Sequence, residues 1–282
     1  MKVWLNGKMV EQSKAAIGVH DHGLLYGDGV FEGIRVYNGR VFQGPAHLER
    51  LFRSAAAVRL KIPYTRRQLS EAMDKTIRAN GGAYIRLVVT RGRGNLGLNP
   101  FLCSRPQVYV INDHIQLYPK ALYEKGLSVI IARTWRTSAT MLPPRVKSLN
   151  YLNNIMAKIE ALDAGASEAL MLNDRGNLAE ATGDNVFIVK RGGLITPPTS
   201  AGILIGVTRG IVLKLAGRLG IPAVEKDFRP AQLYAADECF LTGTAAEVVA
   251  VTHVDGRRIG KGEAGPITHR LMAAFAEFIR KS

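Results

Sequence analysis

Apolar and polar residues alternate in short runs over the first forty positions, and this period of two predicts strands. Lys2–Leu5 is one such run, ending at a turn on Asn6 and Gly7. Val30–Tyr37 is a second, folded through Asn38-Gly39 onto a third, Arg40–Gln43. The period then changes. Leu48, Leu51, Phe52, Ala55, Val58 and Leu60 space themselves as one helix face. Gln68–Asn80 predicts a second helix, stopped by Gly81 and Gly82. Ala83–Thr90 and Val108–Ile111 read as strands on either side of a glycine-rich loop, Arg91–Pro100.

A composition break falls at His114–Lys120, where Pro119 interrupts. We expect the domain boundary there, with a smaller N-terminal domain over 1–118 and a larger C-terminal one over 119–282. Beyond it come a strand at Leu127–Ala132, a polar loop ending at Pro143 and Pro144, and a helix from about Asn150 to Ala164. Ala169–Leu172 is a strand, and Val186–Val189 with Leu194–Thr196 form a hairpin through Arg191, Gly192 and Gly193. Thr208–Leu219 is an amphipathic helix opened by Gly206, Glu238–Leu241 and Val248–Val254 are strands, and Ile267–Ile279 is a last helix. Strands and helices alternate irregularly in both halves. That predicts an α/β or α+β protein of two domains, not a single doubly wound sheet.

With 282 residues, 47% apolar and 22% charged, the chain has material for two ordinary cores. No apolar run approaches the roughly 20 residues of a membrane span, and the N-terminus lacks a signal-peptide stretch. We expect no membrane association and a cytoplasmic setting. Cys103 and Cys239 lie far apart and are expected as free, buried thiols. His20 and His22 flank Asp21 without a third ligand nearby, which favours a turn over a metal site. The net charge of +15 invites a nucleic-acid partner. The basic residues are dispersed, however, and aromatics, at 7%, do not interleave with them as a stacking platform would. Small substrates bearing phosphate and carboxylate account for the charge better.

Three features carry chemistry. Lys147 follows a Pro-Pro loop and precedes a helix, with Arg145 close by; neighbouring positive charge and a helix start favour a neutral, reactive amine. Glu180 sits on an expected strand before a turn, Ala181-Thr182-Gly183-Asp184, with Asn185 to fix the turn geometry. Gly206-Val207-Thr208-Arg209 opens a helix, where free N–H groups bind an anion, and Leu241-Thr242-Gly243-Thr244-Ala245 repeats the small-hydroxyl pattern after a strand. An amine, a carboxylate and an anion cradle are what pyridoxal 5'-phosphate needs for its aldehyde, ring nitrogen and phosphate.

Together these motifs resemble the class IV aminotransferases, the group of branched-chain and D-amino acid aminotransferases. The signature runs Glu180, Asn185, Phe187, Leu194, Thr196, Leu204, Gly206, Val207 and Arg209, and the resemblance extends over nearly the whole chain. It implies a two-domain fold of the D-amino acid aminotransferase type. It implies Lys147 as the Schiff-base lysine, Tyr151 as partner of the cofactor's phenolic oxygen, and Glu180 as partner of the ring nitrogen. Arg50, within His47-Leu48-Glu49-Arg50-Leu51, matches the phosphate arginine. Val207, Thr208 and Thr244 complete the phosphate cup, and Leu204 packs on the ring. A homodimer, or a hexamer built as a trimer of dimers, is implied as well.

Phe31-Glu32-Gly33-Ile34-Arg35 and Tyr84-Ile85-Arg86 look like the branch that acts on L-branched-chain amino acids with 2-oxoglutarate. In that branch the residues matching Tyr26, Phe31, Gly33, Tyr84 and Trp135 line an apolar pocket. Arg86 takes the distal carboxylate of glutamate, and Thr244 and Ala245, with Tyr84, meet the α-carboxylate. The loop Arg91–Pro100 lacks the Arg-x-His of the D-amino acid branch and the Arg-Gly-Tyr of aminodeoxychorismate lyases. Its two arginines, Arg91 and Arg93, leave activity on D-amino acids or (R)-amines open, and a lyase of the same fold, of the aminodeoxychorismate type, stays an alternative.

Overall fold

The computed structural model describes residues 1–115 and 117–282; Gln116, inside the expected boundary stretch, lies outside the described residues. The chain divides into two compact units, Met1–Ile115 with Val146–Asn150, and Gln116–Arg145 with Tyr151–Ser282. Segment 146–150 thus belongs with the first unit, although the sequence placed Lys147 in the C-terminal domain.

The first unit holds strands β1 (Lys2–Leu5), β2 (Lys8–Glu11), β3 (Gly29–Tyr37), β4 (Arg40–Val41), β5 (Tyr84–Thr90) and β6 (Val108–Asp113). Its helices are α1 (His22–Tyr26), α2 (Gly44–Ala57) and α3 (Arg66–Asn80). The strands form one sheet in the order β2-β1-β6-β5-β3-β4. Asn6, Gly7, Asn38 and Gly39 all take positive φ, the conformation their hairpin turns demand. Alternation sends Val30, Ile34 and Val36 of β3, and Ile85, Leu87 and Val89 of β5, into a core with Leu48, Leu51 and Ala55 of α2 and Leu69, Met73 and Ile77 of α3. The expected helix face ends early: α2 stops at Ala57 and Arg59 turns left-handed at φ 52°. Thr65 and Gln68 cap α3 reciprocally, and Gly81 stops it at φ 69°.

The second unit holds strands β7 (Leu127–Ile131), β8 (Glu168–Leu172), β9 (Leu178–Ala181), β10 (Asn185–Lys190), β11 (Gly193–Thr196), β12 (Ala223–Glu225), β13 (Glu238–Gly243), β14 (Glu247–Val254) and β15 (Arg257–Arg258). Its helices are α4 (Lys120–Lys125), α5 (Leu152–Asp163), α6 (Val207–Arg218), α7 (Pro230–Tyr234) and α8 (Pro266–Arg280). The strands run in the order β12-β11-β10-β13-β14-β7-β8-β9, and β15 pairs with β14. β14 pairs with β7 and β7 with β8 in parallel, helix α5 making the crossover from β7 to β8, whereas β10 with β13 and β13 with β14 pair antiparallel. One face packs Val186, Ile188, Leu241, Val249 and Leu170 as a continuous core. The other stacks Phe187 on Phe240, with ring centroids 4.9 Å apart.

Candidate functional site

In the first unit the sheet face turned away from the helices is a grid set by register. Phe31 pairs with Val88, Gly33 with Arg86 and Arg35 with Tyr84. Val88 in turn pairs with Tyr109, and Arg86 with Ile111. Phe31, Gly33, Tyr84 and Arg86, all expected in one substrate wall, therefore share one face. The Arg86 guanidinium lies 4.7 Å from the Phe31 ring centroid and 5.7 Å from that of Tyr84. A Cβ at position 33 would stand 1.8 Å from the Tyr84 hydroxyl, so only glycine lets the phenol lie across β3. Tyr26 sits on α1, its ring edge-on to His22, and is partly exposed.

Lys147 enters this unit along the edge of β3. Because β4 pairs only with Val36 and Tyr37, the start of β3 is open to another segment. The Phe31 N–H donates to the Lys147 carbonyl at 3.1 Å, the Leu149 N–H to Gly29 at 3.0 Å, and the Lys147 N–H to the Ser54 hydroxyl at 3.1 Å. The Lys147 Nζ is 4.6 Å from the Phe31 ring centroid. The sequence placed this lysine at a helix start. Helix α5 begins only at Leu152, with Tyr151 at its cap, and Lys147 lies before it in the chain, on the segment that pairs with β3. Arg145 is exposed.

Arg50 points from α2 to the inner face of β3. It donates to Glu32 through Nε and Nη2, both at 2.7 Å, while the His47 Nδ1 lies 2.8 Å from the same carboxylate. All three are buried. Burial pushes the Glu32 carboxyl up, but the Arg50 charge, its hydrogen bonds and His47 outweigh it and hold the group at about 2. Burial lowers the His47 imidazole against the opposing pull of Glu32. Glu32 and His47 escaped the sequence reading. The signal was a carboxylate in the middle of an apolar strand, which requires a buried partner.

In the second unit Glu180 is 4% exposed on β9. Its Oε1 accepts from the Arg136 Nε at 2.8 Å; its Oε2 accepts from the Asn185 Nδ2 at 3.1 Å and from the Leu204 N–H at 2.9 Å. Arg136, missed in the sequence, also reaches Asn153 and Asn154 at the start of α5. Its neighbour Trp135 is exposed in this unit. Gly206 caps α6 with no side chain competing for the first N–H groups, and Thr208 is buried there. Cβ atoms at Gly206 and Gly243 would stand 2.0 Å from Asn185 Oδ1 and 1.6 Å from Asp184 Oδ1. The Thr242 hydroxyl is buried without a partner among the described residues, next to the turn carrying Thr244 and Ala245.

The Arg91 Nε and Nη2 hold Asp28 at 2.8 and 2.9 Å, and its Nη groups cap the Val58 and Arg59 carbonyls at 2.6 and 2.8 Å. It is a buried staple on the C-terminal end of α2; Arg93 is exposed. Cys103 and Cys239 are free, but only Cys239 is buried; Cys103 is half-buried. His22 packs inside α1, with its Nε2 2.8 Å from the Asn95 carbonyl.

The family model for class IV aminotransferases matches residues 29–254. A Methanocaldococcus jannaschii protein, provisionally named a branched-chain-amino-acid aminotransferase, is 48% identical over 283 residues, covering 100% of this chain and 97% of its own. The D-alanine aminotransferase of Bacillus licheniformis is 38% identical over 283 residues, covering 99% and 97%. Among solved structures, the branched-chain amino acid aminotransferase of Escherichia coli has a TM-score of 0.95 at 35% identity, covering 99% of this chain and 94% of that one.

Proposed function

Because the chain belongs to the class IV aminotransferases, we propose that it transfers an amino group between L-branched-chain amino acids and 2-oxoglutarate by a ping-pong route, with pyridoxal 5'-phosphate as cofactor. The donor set fits that cofactor: a half-buried amine at Lys147, a buried carboxylate at Glu180, an uncapped start of α6, and a buried hydroxyl at Thr242, unpartnered among the described residues. Bound there, pyridoxal 5'-phosphate supplies an aldehyde for amines and a ring that takes up the electrons of a broken Cα–H bond. Lys147 would hold the aldehyde at rest, with Tyr151 toward the phenolic oxygen, Glu180 toward the ring nitrogen and Leu204 against the ring. Arg50, Val207, Thr208 and Thr244 would hold the phosphate. Once displaced, the Lys147 Nζ would take the proton from the substrate Cα and pass it to the former aldehyde carbon, and in the reverse half-reaction would carry a proton the other way. Tyr84, Thr244 and Ala245 would orient the α-carboxylate, and Tyr26, Phe31, Gly33 and Trp135 the side chain.

The observation that carries the substrate class is Arg86. Its guanidinium lies over the faces of Phe31 and Tyr84. Such contacts are worth about 0.5–2 kcal/mol, enough to settle the charge beside an apolar side chain. A charge-assisted hydrogen bond to a distal carboxylate contributes about 1.5–3 kcal/mol and outbids the rings. One arginine thereby serves leucine and glutamate in turn. The D-amino acid reading draws on the relative at 38% identity, but the burial of Arg91 takes one of its two loop arginines away.

A donor panel tests this: L- and D-enantiomers of several amino acids and an (R)-arylamine, each with 2-oxoglutarate. L-Leucine, L-isoleucine and L-valine should lead. Arg86→Ala should cut kcat/KM for glutamate about 30- to 100-fold and for leucine less than about fivefold. Preference for D-donors, or an equal loss for glutamate and leucine, would refute the assignment. A homodimer or larger assembly belongs to the same proposal, supported by the exposed stripe Leu152, Ile155, Met156, Ile159 and Leu162 along α5. So does a cytoplasmic setting, which the two free cysteines favour.

A further inference from the structure

The turn between β9 and β10 is braced from both sides. The Ala181 N–H donates to the Asp184 carbonyl at 2.7 Å and closes the turn. Behind it, the Tyr118 hydroxyl lies 3.3 Å from Glu168 Oε2 and 3.4 Å from Asp184 Oδ2, all three residues being buried. The Thr182 hydroxyl donates to Glu168 Oε1 at 2.6 Å, and the Lys158 Nζ reaches Glu168 Oε2 at 3.3 Å. In front, two consecutive side chains occupy the space of two missing ones. Asn185 Oδ1 fills the place of a Cβ at Gly206, and Asp184 Oδ1 that of a Cβ at Gly243. Those glycines begin the two segments read above as the phosphate cup, the start of α6 and the turn Gly243-Thr244-Ala245.

We propose that Asp184 is a positioning residue for the Gly243-Thr244-Ala245 turn, with Tyr118 as the clamp that holds it in place. The inference rests on reading that turn as part of the phosphate site. A carboxylate next to a phosphate dianion repels it, so Asp184 acts by shape: it fixes where the Thr244 and Ala245 donors point. Asn185 does the same for α6 and, through its Nδ2, for Glu180.

Affinity of the apoprotein for pyridoxal 5'-phosphate and for pyridoxal, read by absorbance titration, tests it. The ratio of the two dissociation constants isolates the phosphate contribution, and the apoprotein's unfolding midpoint is recorded alongside. Asp184→Ala should lower the ratio at least tenfold, Tyr118→Phe about threefold, and Asp184→Asn should keep it at or above the wild-type value. Gly243→Ala should lower it strongly, and Gly243→Ala with Asp184→Ala should recover part of the loss. An unchanged ratio in Asp184→Ala, parallel weakening of both ligands, or an Asp184→Asn loss as large as that of Asp184→Ala would overturn the proposal. Thr244→Val separates the two levels. If it lowers the ratio while Asp184→Ala does not, the positioning role alone fails; if it leaves the ratio unchanged, the phosphate reading fails and takes the proposal with it.

Discussion

Replacing Glu32 with Gln removes a carboxylate that accepts from the Arg50 Nε, the Arg50 Nη2 and the His47 ring while fully buried. The carboxyl is held at about 2 against an ordinary 4.5. At about 1.4 kcal/mol per pKa unit, that shift corresponds to about 3 kcal/mol of stability. Leaving the Arg50 charge buried beside a neutral amide points to a cost of about 3–5 kcal/mol. The sign follows from a depressed carboxyl. The stabilisation is complete above pH 4.5 and is lost as pH falls toward about 2. Trp4 packs in the same core as α2 and α3. In a Trp135→Phe background its fluorescence reports urea unfolding of that unit alone. Glu32→Gln should lower the unfolding free energy by about 3–5 kcal/mol between about pH 8 and pH 5, and the difference should narrow below pH 4.5. A loss under about 1 kcal/mol, or one that does not change with acid, would refute the reasoning. Because Arg50 is the proposed phosphate arginine, cofactor affinity should fall with it.

Glu180→Gln should slow turnover about a hundredfold or more while weakening cofactor binding less than about tenfold, since the amide keeps its shape but no longer holds the ring nitrogen protonated; single-turnover kinetics and titration compare the two, and equal losses would make Glu180 merely structural. Gly33→Ala should displace the Tyr84 phenol at a cost of about 1–3 kcal/mol, seen as a lowered unfolding temperature together with a raised KM for all amino acids; an unchanged KM would remove Tyr84 from the substrate wall.

The parts legible in the sequence were those decided locally. Asn6-Gly7 and Asn38-Gly39 demand positive φ wherever they occur, and the strands around them follow. Gly81 marks the stop of α3, where it takes φ 69°. Short elements with mixed patterns escaped: β2, α1, α4, β12 and α7 are held by neighbours, not by their own periodicity. The same division runs through the site. Lys147, Glu180 and Gly206 stand in a spaced motif, whereas Arg136, Glu32 and Asp184 matter through partners 44, 18 and 66 residues away. Arg91 shows the same limit, because a loop arginine and a helix-capping arginine look alike until the carbonyls of Val58 and Arg59 are in view.

Everything proposed for catalysis depends on which amine takes the cofactor. Borohydride reduction of the holoprotein followed by peptide mass spectrometry reads this directly. A phosphopyridoxyl mass on the peptide containing Lys147, absent from a folded Lys147→Ala variant, is the expected result. The same label on another lysine, or its persistence in Lys147→Ala, would contradict the account.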